Sequence, residues 1–397
     1  MTTAYRVLFL GANGPETNAI WQRLKKRVQG LGHVPILWLK KFSVSEFQQA
    51  IAVGGDPPLP LAVIYWGNDA HEEAAVAEEA AKRGLPLFPV VSSDAKGTIA
   101  KELPQSCRGF QCTFQNQADW ENQLVNGVLE ALSLVRERRR IFISYRRDET
   151  EALARQLFDS LNGIGYSPFL DNCEIIPGKN FQTALMHQLV DSDLLILLDS
   201  PGIDQSEWVQ KELDQADQHG IGILRLKMPE GTSQLTIGYH YHPHLTLENA
   251  DFVSTTTKIT RDRLLQTAKL ETILNKVEEI RAEKIGDRFY AMLVYCRDRA
   301  GQVGLKVQFQ PGGLVLQRNG QSIAWLQLLP GVPVSQDLQE ASRSQAKQKL
   351  PSGLISLYYN GSGVDPAWLE HMAWLNGNLP VKALYQENLS SWLGGIP

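Results

Sequence analysis

The stretch that decides the fold reads Ile141-Phe-Ile-Ser-Tyr-Arg-Arg-Asp148. Its first residues are apolar and favour extended structure, which predicts a buried strand, and the polar residues after Ser144 predict a loop at the carboxyl end of that strand. A helical pattern over Glu151–Leu161 and a second strand at Tyr166–Leu170 come next. Strand, helix and strand in this order predict a parallel arrangement covered by helices.

The same alternation continues to about residue 285. It predicts helices at Phe181–Val190 and Glu207–His219, strands at Leu194–Asp199 and Ile221–Leu226, and an amphipathic helix at Thr267–Lys284 that packs back on the sheet. We therefore expect residues 138–285, the middle unit, to form an α/β domain around a parallel sheet.

The preceding residues, 1–137 or the first unit, alternate in the same way. Strands are predicted at Val7–Leu10, Val34–Leu39, Leu61–Trp66 and Leu87–Val91, and helices at His71–Arg83 and Asp119–Val135. This order again indicates an α/β domain.

Residues 286–397, the third unit, follow a different pattern. A helix over Asp287–Arg299 precedes three strands that are separated by Pro-Gly and Asn-Gly turns of the hairpin type. The predicted order of α-β-β-β-α-β elements indicates an α+β domain. The strands and helices after that first helix are predicted at Leu305–Gln310, Gly313–Arg318, Ser322–Leu329, Ser335–Lys349, Leu354–Tyr359, Pro366–Leu375 and Val381–Tyr385.

Composition excludes several classes of protein. The chain has 397 residues and a formal net charge of −4, so it provides no general field that attracts nucleic acid. Its four cysteines include no CxxC pair, which favours reduced thiols. Its apolar runs fall short of the roughly 20 residues of a membrane span. We expect a cytoplasmic protein that binds neither membrane nor nucleic acid.

Three polar loops follow strands of the middle unit, on the side of an open α/β sheet where ligands bind. They are Ser144-Tyr-Arg-Arg-Asp148, Leu170-Asp-Asn-Cys-Glu-Ile-Ile-Pro-Gly-Lys179 and Asp204-Gln-Ser-Glu-Trp-Val-Gln-Lys-Glu212. Asp204 and Glu207 have the spacing of a helix capping box, which places Trp208 and Glu212 on one helix face near its start. The guanidinium groups of Arg146 and Arg147 suit the phosphates of a nucleotide.

In combination these motifs resemble the Toll/interleukin-1 receptor (TIR) domain family, of the bacterial NAD-cleaving type. The resemblance covers the middle third of the chain and rests on Phe142-Ile-Ser-Tyr-Arg-Arg147, Phe169-Leu-Asp171, Ile176-Pro-Gly178, Ser192-Asp193 and Ser206-Glu-Trp-Val-Gln-Lys-Glu212. It implies a flavodoxin-like fold, and it implies that the first unit is a degenerate TIR-like domain, because that unit lacks the Trp-x-x-x-Glu helix.

The resemblance also implies a function, namely cleavage of the nicotinamide–ribose bond of NAD with Glu212 as the catalytic carboxylate. Residues implied to bind the substrate are Trp208, Ser144, Tyr145, Arg146, Arg147 and Asp171, and those of the assembly loop are Ile176, Pro177, Gly178 and Lys179. NAD is the substrate, and no cofactor or metal is implied. Self-association is expected to activate the enzyme, with a role in bacterial antiphage defence, and the product stays open between ADP-ribose and a cyclic variant.

Other interpretations remain open at this stage. A TIR scaffold that signals without turning over NAD is the principal alternative. The third unit resembles a restriction-endonuclease core, but the metal-binding carboxylates and lysine are missing from Leu314-Val-Leu-Gln317 and Ala324-Trp-Leu-Gln327. The alternating His240, His242 and His244 predict a surface loop rather than a metal site. Gly11-Ala-Asn-Gly14 predicts a plain turn between strand and helix.

Overall fold

The computed structural model describes residues 5–11, 14–30, 36–40, 43–52, 61–67, 71–117, 120–132, 139–170, 181–231, 241–253, 260–310, 313–348 and 355–396. The strands of these residues form three sheets of five strands each. The class is mixed α/β, with two parallel sheets and one mixed sheet.

The first sheet has the order β2-β1-β3-β4-β5, and all its strands are parallel. Its inner strands β1 and β3 are nearly all apolar and are buried throughout, as expected for a sheet with helices on both faces. The elements are β1 (Tyr5–Leu10), α1 (Pro15–Gly30), β2 (Ile36–Lys40), α2 (Val44–Ala52), β3 (Leu61–Trp66), α3 (His71–Lys82), β4 (Leu87–Val91), α4 (Thr98–Glu102), β5 (Thr113–Phe114) and α5 (Trp120–Ala131).

The second sheet repeats this arrangement, with the order β7-β6-β8-β9-β10 and parallel pairing throughout. Each strand therefore takes the same place, in chain order, as its counterpart in the first sheet. The elements are β6 (Arg140–Ser144), α6 (Arg147–Gly163), β7 (Ser167–Leu170), α7 (Phe181–Val190), β8 (Leu194–Asp199), α8 (Glu207–Gln218), β9 (Gly222–Lys227) and β10 (His244–Thr246).

A single helix, α9 (Thr267–Gln302), follows the second sheet and corrects the sequence analysis, which predicted two helices at Thr267–Lys284 and Asp287–Arg299. Its side chains enter the cores of all three units in turn. Ile273, Val277 and Ile280 pack in the core of the middle unit, and Ile285 packs in that of the first unit. Met292, Cys296 and Ala300 pack in the core of the third unit.

The third sheet is mixed. Strands β11, β12 and β13 pair antiparallel, and β13, β14 and β15 pair parallel. The turn between β12 and β13 has positive φ at both Asn319 and Gly320, as the Asn-Gly hairpin signal requires. The elements are β11 (Lys306–Gln310), β12 (Gly313–Arg318), β13 (Gln321–Leu328), α10 (Ser335–Gln348), β14 (Ile355–Tyr359), α11 (Pro366–Asn378), β15 (Lys382–Tyr385) and α12 (Gln386–Gly394).

The first and third units contact the middle unit at the amino ends of its strands. The Val332 amide of the third unit donates to Asp191 at 2.9 Å, and Arg288 of α9 donates to the Ser192 carbonyl at 3.0 Å. The first unit makes its contact through Glu130 of α5, which forms a bidentate ion pair with Arg139, directly before β6, at 2.7 and 2.8 Å. The loops after Ser144 and Asp199 lie at the opposite, carboxyl ends of the strands.

None of the described helices combines the length and apolarity that a bilayer crossing requires.

Candidate active site

The helix that carries the predicted catalytic residue begins at Glu207, and its N-cap is Ser206. The Ser206 hydroxyl accepts from the Val209 amide at 3.5 Å, so one of the first amides of the helix has a partner. The predicted capping box of Asp204 with Glu207 is therefore wrong, because Asp204 lies in a short 3₁₀ turn, Ile203–Gln205, before the cap. The start of the helix was nevertheless placed correctly.

Glu212 lies in the second turn of α8 and is only 1% exposed. The Ser144 hydroxyl, at the carboxyl end of β6, donates to Glu212 Oε2 at 2.6 Å. A hydrogen bond from a hydroxyl to a carboxylate is among the stronger kinds, and it fixes the direction of the acceptor. Ser144, predicted to bind substrate, thus contacts the proposed catalytic carboxylate, and its role in binding substrate stays a prediction.

Trp208 lies one turn before Glu212 and remains 39% exposed. The Lys211 ammonium group lies 4.9 Å from the centre of its indole ring, a cation–π arrangement. The helix face that the two predicted residues share thus runs from solvent at Trp208 to the interior at Glu212.

An open cleft of about 430 Å³ lies beside Trp208. It brings together four of the predicted residues, since Tyr145, Arg146, Arg147 and Trp208 all line it. Ser144 and Glu212 are not among the described residues of its lining. The cleft is of the size that accepts a small polar ligand.

Arg146 holds the loop that borders this cleft. Its guanidinium group donates to the Gly202 carbonyl at 2.7 Å and to Gln205 Oε1 at 3.3 Å, and it pairs with Glu149 at 3.5 Å. Its Nη1 group thus holds the loop, and because Arg146 also lines the cleft, its predicted role near the nucleotide stays a prediction. Arg147, the first residue of α6, is exposed.

Gly202 is a residue that the sequence analysis missed. A Cβ at this position would lie 2.0 Å from Arg146 Nη1 and 2.3 Å from Glu149 Oε1, so any side chain would displace both. The Gly202 amide also donates to Glu149 Oε2 at 3.3 Å. Only the glycine itself, in Pro-Gly after a strand, signalled a close approach.

A buried ion pair lies between two neighbouring strands of the second sheet. Arg225 of β9 lies 2.5 Å from Asp199 at the end of β8, and both are at most 1% exposed. A charged residue inside a nearly continuous apolar strand was the sequence signal for this pair, because a buried charge requires a partner.

Two sets of predicted residues need separate mention. Asp171, Ile176, Pro177, Gly178 and Lys179 lie outside the described residues, and so does His240. His242 lies 3.3 Å from Asp217. No group of three or more metal-ligating side chains occurs in the described part of the chain.

The Gly11 turn of the first unit is closed by the protein's own acid, because the Gly11 amide donates to the Glu73 carboxylate. Gly11 has φ +83°, and a Cβ there would lie 2.2 Å from the Trp66 carbonyl oxygen. The expectation of a plain turn, rather than a phosphate site, agrees with this contact.

Comparison with known families addresses the middle unit. Residues 141–261 match the TIR domain. The expected TIR domain is thereby confirmed for this part of the chain, and the match includes both Ser144 and Glu212. A TIR domain is compatible with NAD cleavage and with a scaffold role.

A search of curated proteins finds no match for the chain. Similar solved structures include a glycosyl transferase of family 9 from Veillonella parvula, at 12% identity and a TM-score of 0.22, over 71% of this chain and 98% of that one. Another is GanP, a glucose-galactose binding protein from Geobacillus stearothermophilus, at 12% identity and a TM-score of 0.18, over 72% and 92% of the two chains. Superpositions with such low scores carry no argument about fold or function.

Proposed function

We propose that the TIR domain cleaves the nicotinamide–ribose bond of NAD, with Glu212 as the catalytic carboxylate. The observation that carries the proposal is the placement of Glu212, a buried carboxylate oriented by the Ser144 hydroxyl at 2.6 Å and one helical turn from Trp208. An acid with a fixed donor, one helical turn from a residue that lines a cleft at the carboxyl ends of parallel strands, suits a catalytic carboxylate once that acid becomes accessible from the cleft.

The chemistry requires little more than this carboxylate. Cleavage develops positive charge on the ribose, as in glycoside hydrolysis, while the pyridinium leaves as a neutral base and needs no general acid. A carboxylate beside the ribose stabilises that charge by roughly 3–4 kcal/mol, the size of one preorganised electrostatic contact. Trp208 would lie against the nicotinamide or the ribose, and Arg147 would face the phosphates.

The remaining parts of the proposal rest on the resemblance to bacterial TIR effectors. In that family the assembly loop, here Asn172–Asn180, contacts a neighbouring copy, so self-association would activate the enzyme. A role in antiphage defence belongs to the same proposal. NAD is the substrate, and no cofactor takes part.

A second candidate function is a TIR scaffold that assembles without turning over NAD. The observation that favours it is the burial of Glu212, which is 1% exposed and absent from the described lining of the Trp208 cleft. The carboxylate must therefore become accessible for catalysis, and in a scaffold it never does.

A fluorescent etheno-NAD assay separates the two. The full chain is assayed with a crowding agent that promotes assembly, beside Glu212→Ala, Glu212→Gln and the control Asp214→Asn, an exposed acid of the same helix. If the TIR domain cleaves NAD, only the wild type and the control Asp214→Asn give a signal. Silence of all four proteins, under conditions where light scattering shows assembly, would leave only the scaffold.

A further inference from the structure

A second open cleft lies away from the Trp208 cleft, between the first unit and α9. Its volume is about 700 Å³, which is large enough for a ligand the size of a nucleotide. Helix α1 forms one wall, α9 forms the other, and Asn122 of α5 lies in the lining. The cleft therefore joins two structural units.

The α1 wall is basic. Arg23, Lys26 and Arg27 all line the cleft, and their spacing of three and four residues places them on one helix face. Arg23 and Arg27 both donate to Asn122 Oδ1, at 3.3 and 3.2 Å, so their guanidinium groups are held side by side. Such clusters of guanidinium and ammonium groups suit phosphate oxygens.

The α9 wall offers acceptors and small polar groups. Glu279 is paired with Lys276 at 2.9 Å, and Asp287 is paired with Lys284 at 3.0 Å, so these two acids are balanced within α9. Glu283 adds a third acid to this wall, and on the opposite wall Arg23 pairs with Glu121 at 2.6 Å, so Lys26 and Arg27 provide the remaining positive charge of α1. The carboxylate oxygens of the α9 wall, together with the Asn275 amide, accept hydrogen bonds from hydroxyl or amino groups.

The two walls together define the class of ligand. Phosphate groups match α1, and hydroxyl or amino donors match α9. A nucleotide and a sugar phosphate share this chemistry.

The cleft is connected to the TIR domain through buried polar contacts. Arg27 donates to the Asn126 side chain, and Asn126 donates to Glu278 of α9, which is 7% exposed. Glu278 also accepts from the Tyr166 hydroxyl, directly before β7. A ligand that binds Arg27 would therefore perturb hydrogen bonds that continue through Asn126 and Glu278 to Tyr166, directly before β7.

A second set of buried polar contacts links α9 to the TIR domain and to the first unit. Arg281 of α9 pairs with Asp193, the residue before β8, at 2.8 Å and lies 3.5 Å from Glu130 of α5. Burial lowers the pKa of Arg281, but Asp193, Tyr166 and Glu278 together raise it by more, so the pKa of this arginine lies above its ordinary value. Buried pairs of this kind fix the relative position of the elements that they join.

We propose that the cleft between α1 and α9 binds a phosphate-bearing small molecule with hydroxyl or amino groups, and that the Arg27–Asn126–Glu278 contacts transmit its binding to the TIR domain. The proposal does not rest on NAD cleavage, because binding and its effect are both measured without NAD.

Binding is tested by titration calorimetry on the full chain with ATP, glucose 6-phosphate and inorganic phosphate as probes. Lys26→Glu is the test variant, and Lys25→Glu is its matched control, since Lys25 is exposed on the same helix and does not line the cleft. We expect saturable binding of ATP or glucose 6-phosphate, weakened about tenfold by Lys26→Glu, or roughly 1.4 kcal/mol, and unchanged by Lys25→Glu. Binding of ATP alone identifies a nucleotide site, and binding of glucose 6-phosphate alone identifies a sugar phosphate site.

Three results would overturn the site: no saturable binding of either compound, equal affinity in Lys26→Glu and the wild type, or equal loss in both lysine variants. The connection is tested by hydrogen exchange of the β8 amides with and without the bound probe. We expect the probe to change this exchange in the wild type. Glu278→Gln, which keeps the side-chain shape, should still bind the probe but lose the effect. Unchanged β8 exchange in the wild type with probe bound would refute the connection.

Discussion

The Ser144 hydroxyl and the Glu212 carboxylate lie 68 residues apart in the chain and 2.6 Å apart in space. This contact joins the end of β6 to the second turn of α8, so the sheet itself sets the direction of the carboxylate. Two elements that belong to different βα units of the TIR domain thereby form one polar centre.

Replacing Ser144 by Ala removes the donor and leaves Glu212 less well oriented. We expect NAD cleavage to fall about 10- to 100-fold, because a hydrogen bond to a charged group contributes roughly 1.5–3 kcal/mol. Ser144→Thr keeps the hydroxyl and should retain most of the activity. The measurement is kcat in the etheno-NAD assay, and full activity of Ser144→Ala would show that the contact has no catalytic role.

Gly202→Ala tests the loop beside the Trp208 cleft. The new methyl group meets Arg146 and Glu149 at 2.0 and 2.3 Å, so their contacts with the loop must break. Because both atoms are the ends of flexible side chains that can move, we expect a loss of only about 0.5–1.5 kcal/mol of unfolding free energy, the size of a lost hydrogen bond, and a higher KM for NAD. Gly163→Ala is the control, because a Cβ there meets nothing within 4 Å. Equal urea midpoints for the two variants would contradict the prediction.

The Asp199–Arg225 pair tests the interior of the TIR sheet. Arg225→Met leaves a carboxylate buried without its cation and should cost about 3–5 kcal/mol of unfolding free energy. The double variant Asp199→Leu with Arg225→Met should recover part of that loss, because no isolated charge remains buried. Denaturant unfolding gives the coupling energy, and a cost below about 1 kcal/mol for Arg225→Met would refute this prediction.

We expect the stability of the contact between the TIR domain and the third unit to depend on pH through His219. Its ring nitrogen Nδ1 lies 3.4 Å from the Asn360 side chain, and burial together with Arg288 lowers its pKa below 6.5. In the unfolded chain the group binds a proton near pH 6.5, whereas in the folded protein it resists protonation. The stability it contributes is therefore present above pH 6.5 and is lost as the pH falls through the lowered pKa.

We expect His219→Gln to reduce this pH dependence, because glutamine does not titrate. Urea unfolding of both proteins at several pH values, from slightly alkaline to mildly acidic, measures it. A wild type that loses no more stability than His219→Gln over that range would show that His219 is not the titrating group.

The sequence predicted best those elements whose apolar pattern is strong and local. Helix α7 and strand β8 have the predicted bounds, Phe181–Val190 and Leu194–Asp199, because a buried strand is apolar throughout and its flanks are polar. Capping was harder to predict. Asp204 and Ser206 are both residue types that cap helices, and only the backbone geometry selects Ser206.

Contacts between distant residues could not be read from the sequence. Arg146 was predicted to lie near a nucleotide, and nothing in the sequence indicated that the Gly202 carbonyl, 56 residues away, accepts a hydrogen bond from it. The continuity of α9 was missed for a related reason. Gly286 weakens a helix by about 1 kcal/mol, but Ile285 and Arg281 are buried beside it, and their packing offsets this cost.

Helix α9 spans 36 residues, or about 54 Å, and no boundary between units interrupts it. A shortened chain that ends near residue 285 would keep only the first half of α9, and one that begins there would keep only the second half. We therefore expect a cut at the middle of α9 to destabilise the middle and third units together, because each has in its core apolar side chains from one half of the helix.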